Sequence, residues 1–362
     1  MGCTVETELC FSDLTKNIFG PLQNQRYPIS ATLELTERCN YNCVQCFINK
    51  AANDPLASQK EMSTAQVKDL IDQLAEAGTL FLLITGGEPF LRSDFIEIFK
   101  YSRKKGLLVT LFSNGSMLTP EIASVLAEYG IRGLEMTLYG ATRETFDSVT
   151  RRPGSYDRCM QGIETALAYK LPLSLKTFVI NQNKHELAQM REFAHERNLG
   201  FRFDSMLIPR LDGNGNGHHL QLDIDEMIPL DLEDPERVSA WKDVITERKG
   251  LEADRVHIYK CGAAHQSFHI DAYGDLSPCA LVRTPCYNVF EIGFKNAWEM
   301  LGGVRTLKQT KKTECADCPH VFFCNQCTGW SQLMVDDPET PVPFICELTK
   351  RRLQEVRKFL DL

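Results

Sequence analysis

Between residues 29 and 207 the chain alternates short apolar runs with longer stretches whose apolar positions recur every three to four residues. Apolar runs of five to eight residues read as strands, and the 3.6-residue recurrences read as amphipathic helices. Strands are expected at Ala31–Thr36, Leu80–Thr85, Leu107–Phe112, Gly133–Tyr139, Leu173–Ile180 and Gly200–Met206. Helices are expected at Thr64–Ala77, Ser93–Lys105, Pro120–Tyr129, Arg143–Ser148 continuing with Asp157–Tyr169, and Lys184–Arg197. Ser63 stands where an N-cap belongs, and Thr119-Pro120-Glu121 supplies a cap, an N1 proline and an early acid in order. Gly78, Gly106, Gly130 and Gly200 fall where helices stop. Strand–helix alternation implies parallel strands joined by right-handed crossovers. Six units are too few to close an eight-fold barrel, so the expected α/β fold is an open, partial (β/α)6 barrel of the TIM type.

Beyond Pro209 the pattern breaks. Asp212-Gly213-Asn214-Gly215-Asn216-Gly217 is turn-rich and Asp231–Glu236 is acidic with a proline, so 209–254 reads as a linker or bridging region. Residues 255–346 form a cysteine-rich part, and an amphipathic helix over Leu348–Leu360 closes the chain within 347–362. The expected division is thus an N-terminal extension (1–28), the barrel core (29–208), the bridge, the cysteine-rich domain and the last helix.

Charge and length narrow the class. The net charge of −8, from 40 basic and 48 acidic residues, argues against a partner held through phosphates. No run reaches the roughly 18 apolar residues of a membrane span, and the N-terminus lacks the basic start and apolar stretch of a secretory signal. Glu6 stands where a myristoylation signal has Ser or Thr, so Gly2 is discounted. A cytoplasmic protein with neither nucleic-acid nor membrane partner is expected.

Fourteen cysteines are many for such a compartment, and ten of them are clustered. In a reducing environment such clusters read as metal ligands rather than disulfides. Cys39, Cys43 and Cys46 have C-x3-C-x2-C spacing directly after the first strand. Three thiolates on one loop can hold three corners of a cubane iron–sulfur cluster and leave the fourth iron open to a small chelating molecule. Zinc is the competing reading, but structural zinc takes four ligands, and no fourth Cys or His lies in this loop. Gly86-Gly87-Glu88-Pro89 follows the second strand. Chemistry in such barrels gathers at the C-terminal strand ends, so both motifs land on one rim. Cys159 falls in a helical pattern and reads as a small core residue.

The pairing of C-x3-C-x2-C with Gly-Gly-Glu-Pro resembles the radical S-adenosylmethionine (radical SAM) enzymes over about 29–207. The resemblance implies a [4Fe–4S] cluster on Cys39, Cys43 and Cys46, with S-adenosylmethionine chelating the open iron through its amino and carboxylate groups. One-electron cleavage of the sulfonium would then release a 5′-deoxyadenosyl radical. It further implies that Gly86, Gly87, Glu88 and Pro89 approach the methionine part, and that Ser113-Asn114 and Thr137 contact the ribose side. Arg151 or Arg152 would meet the carboxylate. The sequence departs in one place: Gln45 precedes the third cysteine, where the family usually has an aromatic residue packed against adenine.

The second set runs Cys261-x12-Gly274-x4-Cys279, then Cys315-x2-Cys318-x5-Cys324-x2-Cys327, then Cys346. This resembles the SPASM domain, with two residues rather than three between its last clustered pair. By that resemblance Cys261, Cys279 and Cys327 bind an inner auxiliary [4Fe–4S] cluster, with Cys286 the nearest spare thiol for its fourth corner. Cys315, Cys318, Cys324 and Cys346 bind an outer one. A zinc ribbon would use the C-x2-C pairs but leave Cys261, Cys279 and Cys346 idle.

Together the two resemblances imply three [4Fe–4S] clusters and an enzyme that abstracts hydrogen from a peptide or protein. Ribosomal-peptide maturases and sulfatase-type maturases are the nearest likenesses. An external donor such as flavodoxin or ferredoxin would supply electrons. With about 28 residues before the first strand, leader recognition would need a separate partner. Two alternatives stay open: the same chemistry on a small molecule or cofactor precursor, and a non-catalytic iron–sulfur protein for electron transfer. The catalytic acid or base is left unassigned among Glu135, Tyr139 and Asp204.

Overall fold

The computed structural model describes residues 25–48, 50–211, 219–247 and 254–361. Gly2, Cys3, Cys10, the turn-rich stretch 212–217, His218 and residues 248–253 of the expected bridge lie outside the described residues.

The first strand, β1 (Ser30–Thr36), leads into a two-residue bridge, β2 (Arg38–Cys39), that pairs with β3 (Lys50–Ala51) across the cysteine loop. Then come β4 (Phe81–Gly86), β5 (Leu108–Ser113), β6 (Gly133–Thr137), β7 (Leu173–Phe178) and β8 (Gly200–Asp204). Each is parallel to its predecessor, giving the order β1-β4-β5-β6-β7-β8. The six expected strands are all present, with ends within two residues of those expected. On β5, Val109, Leu111 and Ser113 are buried while Leu108, Thr110 and Phe112 are half-buried. This is the period-two split between a helix-covered face and the barrel interior. Strand β1 is buried almost throughout, as a strand covered on both faces should be.

The crossover helices start as their caps dictate. Ser63 and Gln66 form a capping box on Thr64–Glu76, and the Thr119 side chain accepts from Ile122 N at the start of Pro120–Tyr129. The long helical stretch after β6 is two helices, Arg143–Thr150 and Ser155–Ala168. Arg151 (φ 50°) and Gly154 (φ 74°) break it with left-handed residues around Pro153.

The cysteine-rich part is joined to this sheet directly. Strand β9 (Ser267–Ile270) lies parallel to β1, pairing Ser30–Leu33 with Ser267–Ile270. Strands β10 (Asp275–Ser277) and β11 (Tyr287–Asn288) add antiparallel beyond it. Among the described residues the result is one nine-stranded sheet, ordered β11-β10-β9-β1-β4-β5-β6-β7-β8.

Two further elements differ from expectation. The stretch read as a linker contains two helices, Ile224–Leu232 and Pro235–Glu247. Met227 and Ile228 bury an apolar stripe there, and the acidic composition hides it from a reading by polarity. The last helix begins at Pro343 rather than Leu348, which puts Cys346 in its first turn. Buried Asp231 ties these pieces together through ion pairs to Arg237 and to Arg352 of the last helix, the latter at 2.5 Å. Asp231→Ala strands Arg352 without its carboxylate. A buried pair broken from one side costs about 3–5 kcal/mol, so urea titration should show a loss of that order.

Candidate functional site

The loop bearing Cys39, Cys43 and Cys46 is held on several sides by backbone hydrogen bonds. Asn42 N donates to Thr150 O (3.1 Å), Val44 N to Val149 O (2.9 Å) and Cys46 N to Cys43 O (3.1 Å). Arg210 Nη1 donates to Cys46 O at 3.3 Å. At its entrance Arg38 forms a two-point bond to Glu61 (2.8 and 2.9 Å), which fixes the strand exit. Cys43 is buried; Cys39 and Cys46 are half-buried.

The surroundings of these sulfurs fit a bound metal centre. Tyr41 N (3.4 Å) and Asn114 Nδ2 (3.7 Å) point at Cys39 Sγ, and the Tyr139 hydroxyl reaches Cys43. Burial pushes the Cys39 thiol up to about 12, with Glu88 adding to the rise. Burial also pushes Cys43 up, and Cys46 adds to it. Three thiols packed together in an apolar setting resist ionisation on their own. A cationic centre reverses that balance and deprotonates them. The donor set suits iron–sulfur ligation.

Glu88 organises the adjoining rim. It is fully buried and accepts from Phe90 N (3.1 Å), Asn114 N (2.8 Å) and the Ser113 hydroxyl (3.0 Å to each oxygen). Burial outweighs these bonds and pushes its carboxyl up to about 7. Glu88 therefore ties the ends of β4 and β5 together through three donors. The two glycines also serve a contact within the protein. A Cβ on Gly86 would stand 2.1 Å from Thr36 O, and one on Gly87 2.2 Å from Arg38 O. These glycines let the end of β4 press against the start of the cysteine loop, so they shape the rim through protein backbone. Pro89 opens the short 3-10 turn Pro89–Leu91 and is buried.

Ser113 and Asn114 do reach the cluster loop. Ser113 is committed to Glu88, while Asn114 donates to Asn40 Oδ1 (2.9 Å) and accepts from Ser116 N (3.0 Å). Asn40 donates in turn to the Ser116 hydroxyl at 2.8 Å. Asn40 and Ser116 were not singled out from the sequence; their adjacency to Cys39 and Asn114 was the available signal. Arg151 and Arg152 are both exposed at the end of their helix.

Thr137, Glu135 and Tyr139 are half-buried on one side of β6, and Thr137 stands in register with Lys176. Half-buried Lys176 on β7 and exposed Arg202 on the edge strand β8 are further residues on this side that the sequence reading missed, although period two along β7 and β8 marks them. Glu135 takes Arg202 at 2.6 Å and Lys176 at 3.6 Å, and the Lys176 ammonium lies 2.8 Å from the centre of the Phe112 ring. The carboxylate of Asp204 accepts from Met206 N (2.9 Å).

Burial draws the Lys176 ammonium down to about 7, with Glu135 opposing and Arg202 adding to the fall. The unfolded chain therefore binds a proton that the folded one lacks between about pH 7 and 10. Stability falls as pH drops through this window, with a slope of at most about 1.4 kcal/mol per pH unit. Lys176→Met should flatten that slope and raise the melting temperature at pH 7.5, as paired melts across pH 7–10 would read.

The seam between barrel and cysteine-rich part is polar and closed. Glu34, 1 % exposed, meets Arg283 (2.7 Å) and His269 (3.3 Å), and His269 Nδ1 lies 3.0 Å from the Ser277 hydroxyl. Tyr273 donates to Glu37 at 2.7 Å. Beyond the seam the thiols fall into two groups. Cys279, Cys261 and Cys327 surround Tyr259, whose hydroxyl is pushed up to about 12 by burial and by these three sulfurs. Cys324 and Cys315 act on Cys346, which burial raises to about 11, and Cys324 and Cys318 act on Cys315. A cavity of about 670 Å³ is lined by Cys315, Cys318, Cys324 and Cys346 and is also touched by Cys261 and Cys327. Cys286 does not join the inner trio: it is exposed, and the charges acting on it are Asp275 and Asp271.

Comparison with known proteins agrees with this arrangement. Residues 33–194 match the Radical SAM superfamily. The chain is 31% identical to the mycofactocin maturase MftC of Mycolicibacterium smegmatis, over 82% of this chain and 77% of that protein. It is 28% identical to an AdoMet-dependent heme synthase of Methanosarcina barkeri, over 81% of this chain and 89% of the synthase. In fold it is similar to Streptococcus suis SuiB bound to S-adenosylmethionine, with a TM-score of 0.67 at 16% identity, covering 96% of this chain and 83% of SuiB. No helix among the described residues is long and apolar enough to cross a membrane. A shared barrel, a three-thiol loop on its rim and relatedness across most of the chain lead to one conclusion: this protein belongs to the radical SAM superfamily and is an enzyme that uses S-adenosylmethionine and a [4Fe–4S] cluster.

Proposed function

We propose that this enzyme modifies a peptide or protein side chain by hydrogen abstraction followed by net oxidation. The supporting observation is its 31% identity, across most of both chains, to a mycofactocin maturase. In this reading Cys39, Cys43 and Cys46 hold the cluster, within a core of about residues 29–208. Cys261, Cys279 and Cys327, and Cys315, Cys318, Cys324 and Cys346, hold two auxiliary clusters within 255–346. When bound, S-adenosylmethionine and the reduced cluster supply a carbon-centred radical that abstracts hydrogen.

The chain's own residues then have defined tasks. Glu88, Asn114 and Asn40 keep the rim rigid beside Cys39. Thr137, Lys176 and Arg202 line the chamber where substrate lies. Lys176 and Arg202 share the single carboxylate of Glu135, so this wall is net positive only below about pH 7, where Lys176 keeps its proton, and orients polar substrate groups. The three-thiol inner group leaves one corner without a cysteine from the set Cys261, Cys279 and Cys327. An external one-electron donor, flavodoxin or ferredoxin, and a separate leader-binding protein complete the proposal.

A second reading, the same chemistry on a small tetrapyrrole-like molecule, is favoured by the 28% identity to a heme synthase over 89% of that protein. Anaerobic incubation with S-adenosylmethionine and dithionite tests the shared core: 5′-deoxyadenosine is expected, and its absence at every reducing potential removes both readings. Adding a candidate precursor peptide or an iron porphyrin then separates them by which one raises 5′-deoxyadenosine and changes in mass. Metal analysis should give about twelve irons with matching sulfide; about four irons would overturn the auxiliary pair.

A further inference from the structure

Two short stretches of the cysteine-rich part run antiparallel beside its thiols. Ile258 N donates to Leu307 O (3.0 Å), Gln309 N donates to Val256 O (2.8 Å), and His257 stands opposite Lys308 between them. In such a pairing Val256 is opposite Gln309 and Ile258 is opposite Leu307, all four on one side of the ribbon. Ile258, Lys260 and Gln309 line the cavity of the outer thiols. Arginines tie the ribbon to both thiol groups. Arg255 donates to the carbonyls of Cys315 (3.1 Å) and Cys318 (3.2 Å), and Arg305 donates to Cys261 O (2.7 Å). The same side ends in bare apolar surface: Val256 is 52 % and Leu307 46 % exposed.

Charge sets this ribbon apart. Residues 255–261 and 302–312 carry six basic side chains and no acid, in a chain whose net charge is −8. Lys311 and Lys312 meet Asp337 (2.6 Å) and Asp317 (3.6 Å), whereas among the described residues no ion pair neutralises Arg255, Lys260, Arg305 or Lys308. Of the other acids lining the cavity, Asp254 accepts from Val256 N and His257 N, Glu339 accepts from Thr310 N and Lys311 N, and Glu314 adjoins Cys315. The field here is positive enough to act on a neighbour: burial and the charges of Arg305 and Arg26 hold His265 below its ordinary value.

We propose that this ribbon is the docking surface for an acidic one-electron carrier protein. The inference rests on the reading that an external donor feeds the enzyme, and deepens it by naming the surface and the partner's charge. Redox encounters between proteins are small and short-lived: an apolar centre excludes water while a charged rim steers the approach. Val256 and Leu307 supply the centre, and Lys260, Arg305 and Lys308 supply the rim. Electron tunnelling falls exponentially with distance, so a carrier has to dock where a redox centre comes close to the surface. The ribbon meets that need, because its own hydrogen bonds reach the backbone at Cys261, Cys315 and Cys318. In the encounter the carrier loses one electron and the enzyme gains it; no bond forms or breaks.

Anaerobic stopped-flow reduction of the reconstituted full-length enzyme tests this, with reduced flavodoxin and dithionite as probes. The wild-type rate with flavodoxin should fall about tenfold or more from low to high salt. Lys260→Glu with Lys308→Glu should slow flavodoxin about tenfold at low salt and remove most of the salt dependence. Leu307→Ser should slow it about threefold and keep the salt dependence, since only the apolar centre is lost. Iron content and reduction by dithionite should stay at the wild-type level in each variant. Lys104→Glu, at the end of the barrel helix Phe95–Lys104, is the control and should change neither rate. If flavodoxin reduces the double variant as fast as the wild type, or slows equally with the control, the proposal is overturned. Should the double variant lose iron, Lys308→Glu alone gives the same comparison, since no cysteine adjoins it in the chain. A wild type reduced by dithionite but not by flavodoxin refutes the external-carrier reading itself. A fast flavodoxin rate indifferent to salt and to Lys308→Glu refutes only the ribbon. A wild-type dimer in sedimentation that Leu307→Ser dissociates would give this face to a second copy of the chain and equally overturn the proposal.

Discussion

Cys43→Ala is expected to abolish 5′-deoxyadenosine formation and to lower bound iron by about four of roughly twelve atoms. Cys43 is the buried member of the trio, 7 % exposed, and its loop is fixed by Val149 O and Thr150 O on either side. The alanine variant therefore keeps its fold while losing one corner of the cluster. The thiols proposed to hold the auxiliary clusters lie beyond the Glu34–His269–Arg283 seam, and on that proposal the iron they hold is retained. Iron and sulfide assays beside product chromatography read both outcomes. Retained cleavage would mean that the electron-delivering centre lies elsewhere. Loss of all iron would mean that the clusters assemble as one unit.

The second large effect concerns backbone rather than chemistry. Gly86 has φ +132°, and an added Cβ would lie 2.1 Å from Thr36 O. Neither atom belongs to a flexible side chain, so β1 and β4 would have to part. Backbone strain of about 1–2 kcal/mol and overpacking of about 1–3 kcal/mol act together here. Gly86→Ala should therefore cost about 2–5 kcal/mol in denaturant titrations and weaken S-adenosylmethionine binding, because the cysteine loop starts at that contact. Gly106 is a matched control, with φ +88° and nothing within 4 Å of its would-be Cβ. Gly106→Ala should show the backbone strain alone and leave ligand binding untouched.

What the sequence disclosed and what it hid follow from range. The six strands were legible because period two and terminal glycines are local. The thiols were legible because C-x3-C-x2-C puts three sulfurs on one turn of chain whatever the remainder does. The pairing of β9 with β1 was hidden, since its hydrogen bonds join residues more than two hundred positions apart and no local pattern marks them. The motif gave Glu88 as a residue type beside the ligand but not its protein partners; only the fold shows Ser113, Asn114 and Phe90 donating to it. The helix Ile224–Leu232 was missed because Pro229 and three acids mask its buried Met227 and Ile228. Lys176 and Arg202 needed the strand register that sets both of them beside Glu135.

Strand β9 has a consequence for how the molecule comes apart. Because Ser30–Leu33 are hydrogen-bonded to β4 on one flank and to β9 on the other, the N-terminal and C-terminal thirds share a seam of backbone bonds at the middle of the sheet. Heat cannot melt one third and spare the other without baring a raw, apolar edge, so the two ends of this polypeptide stand or fall in a single cooperative event.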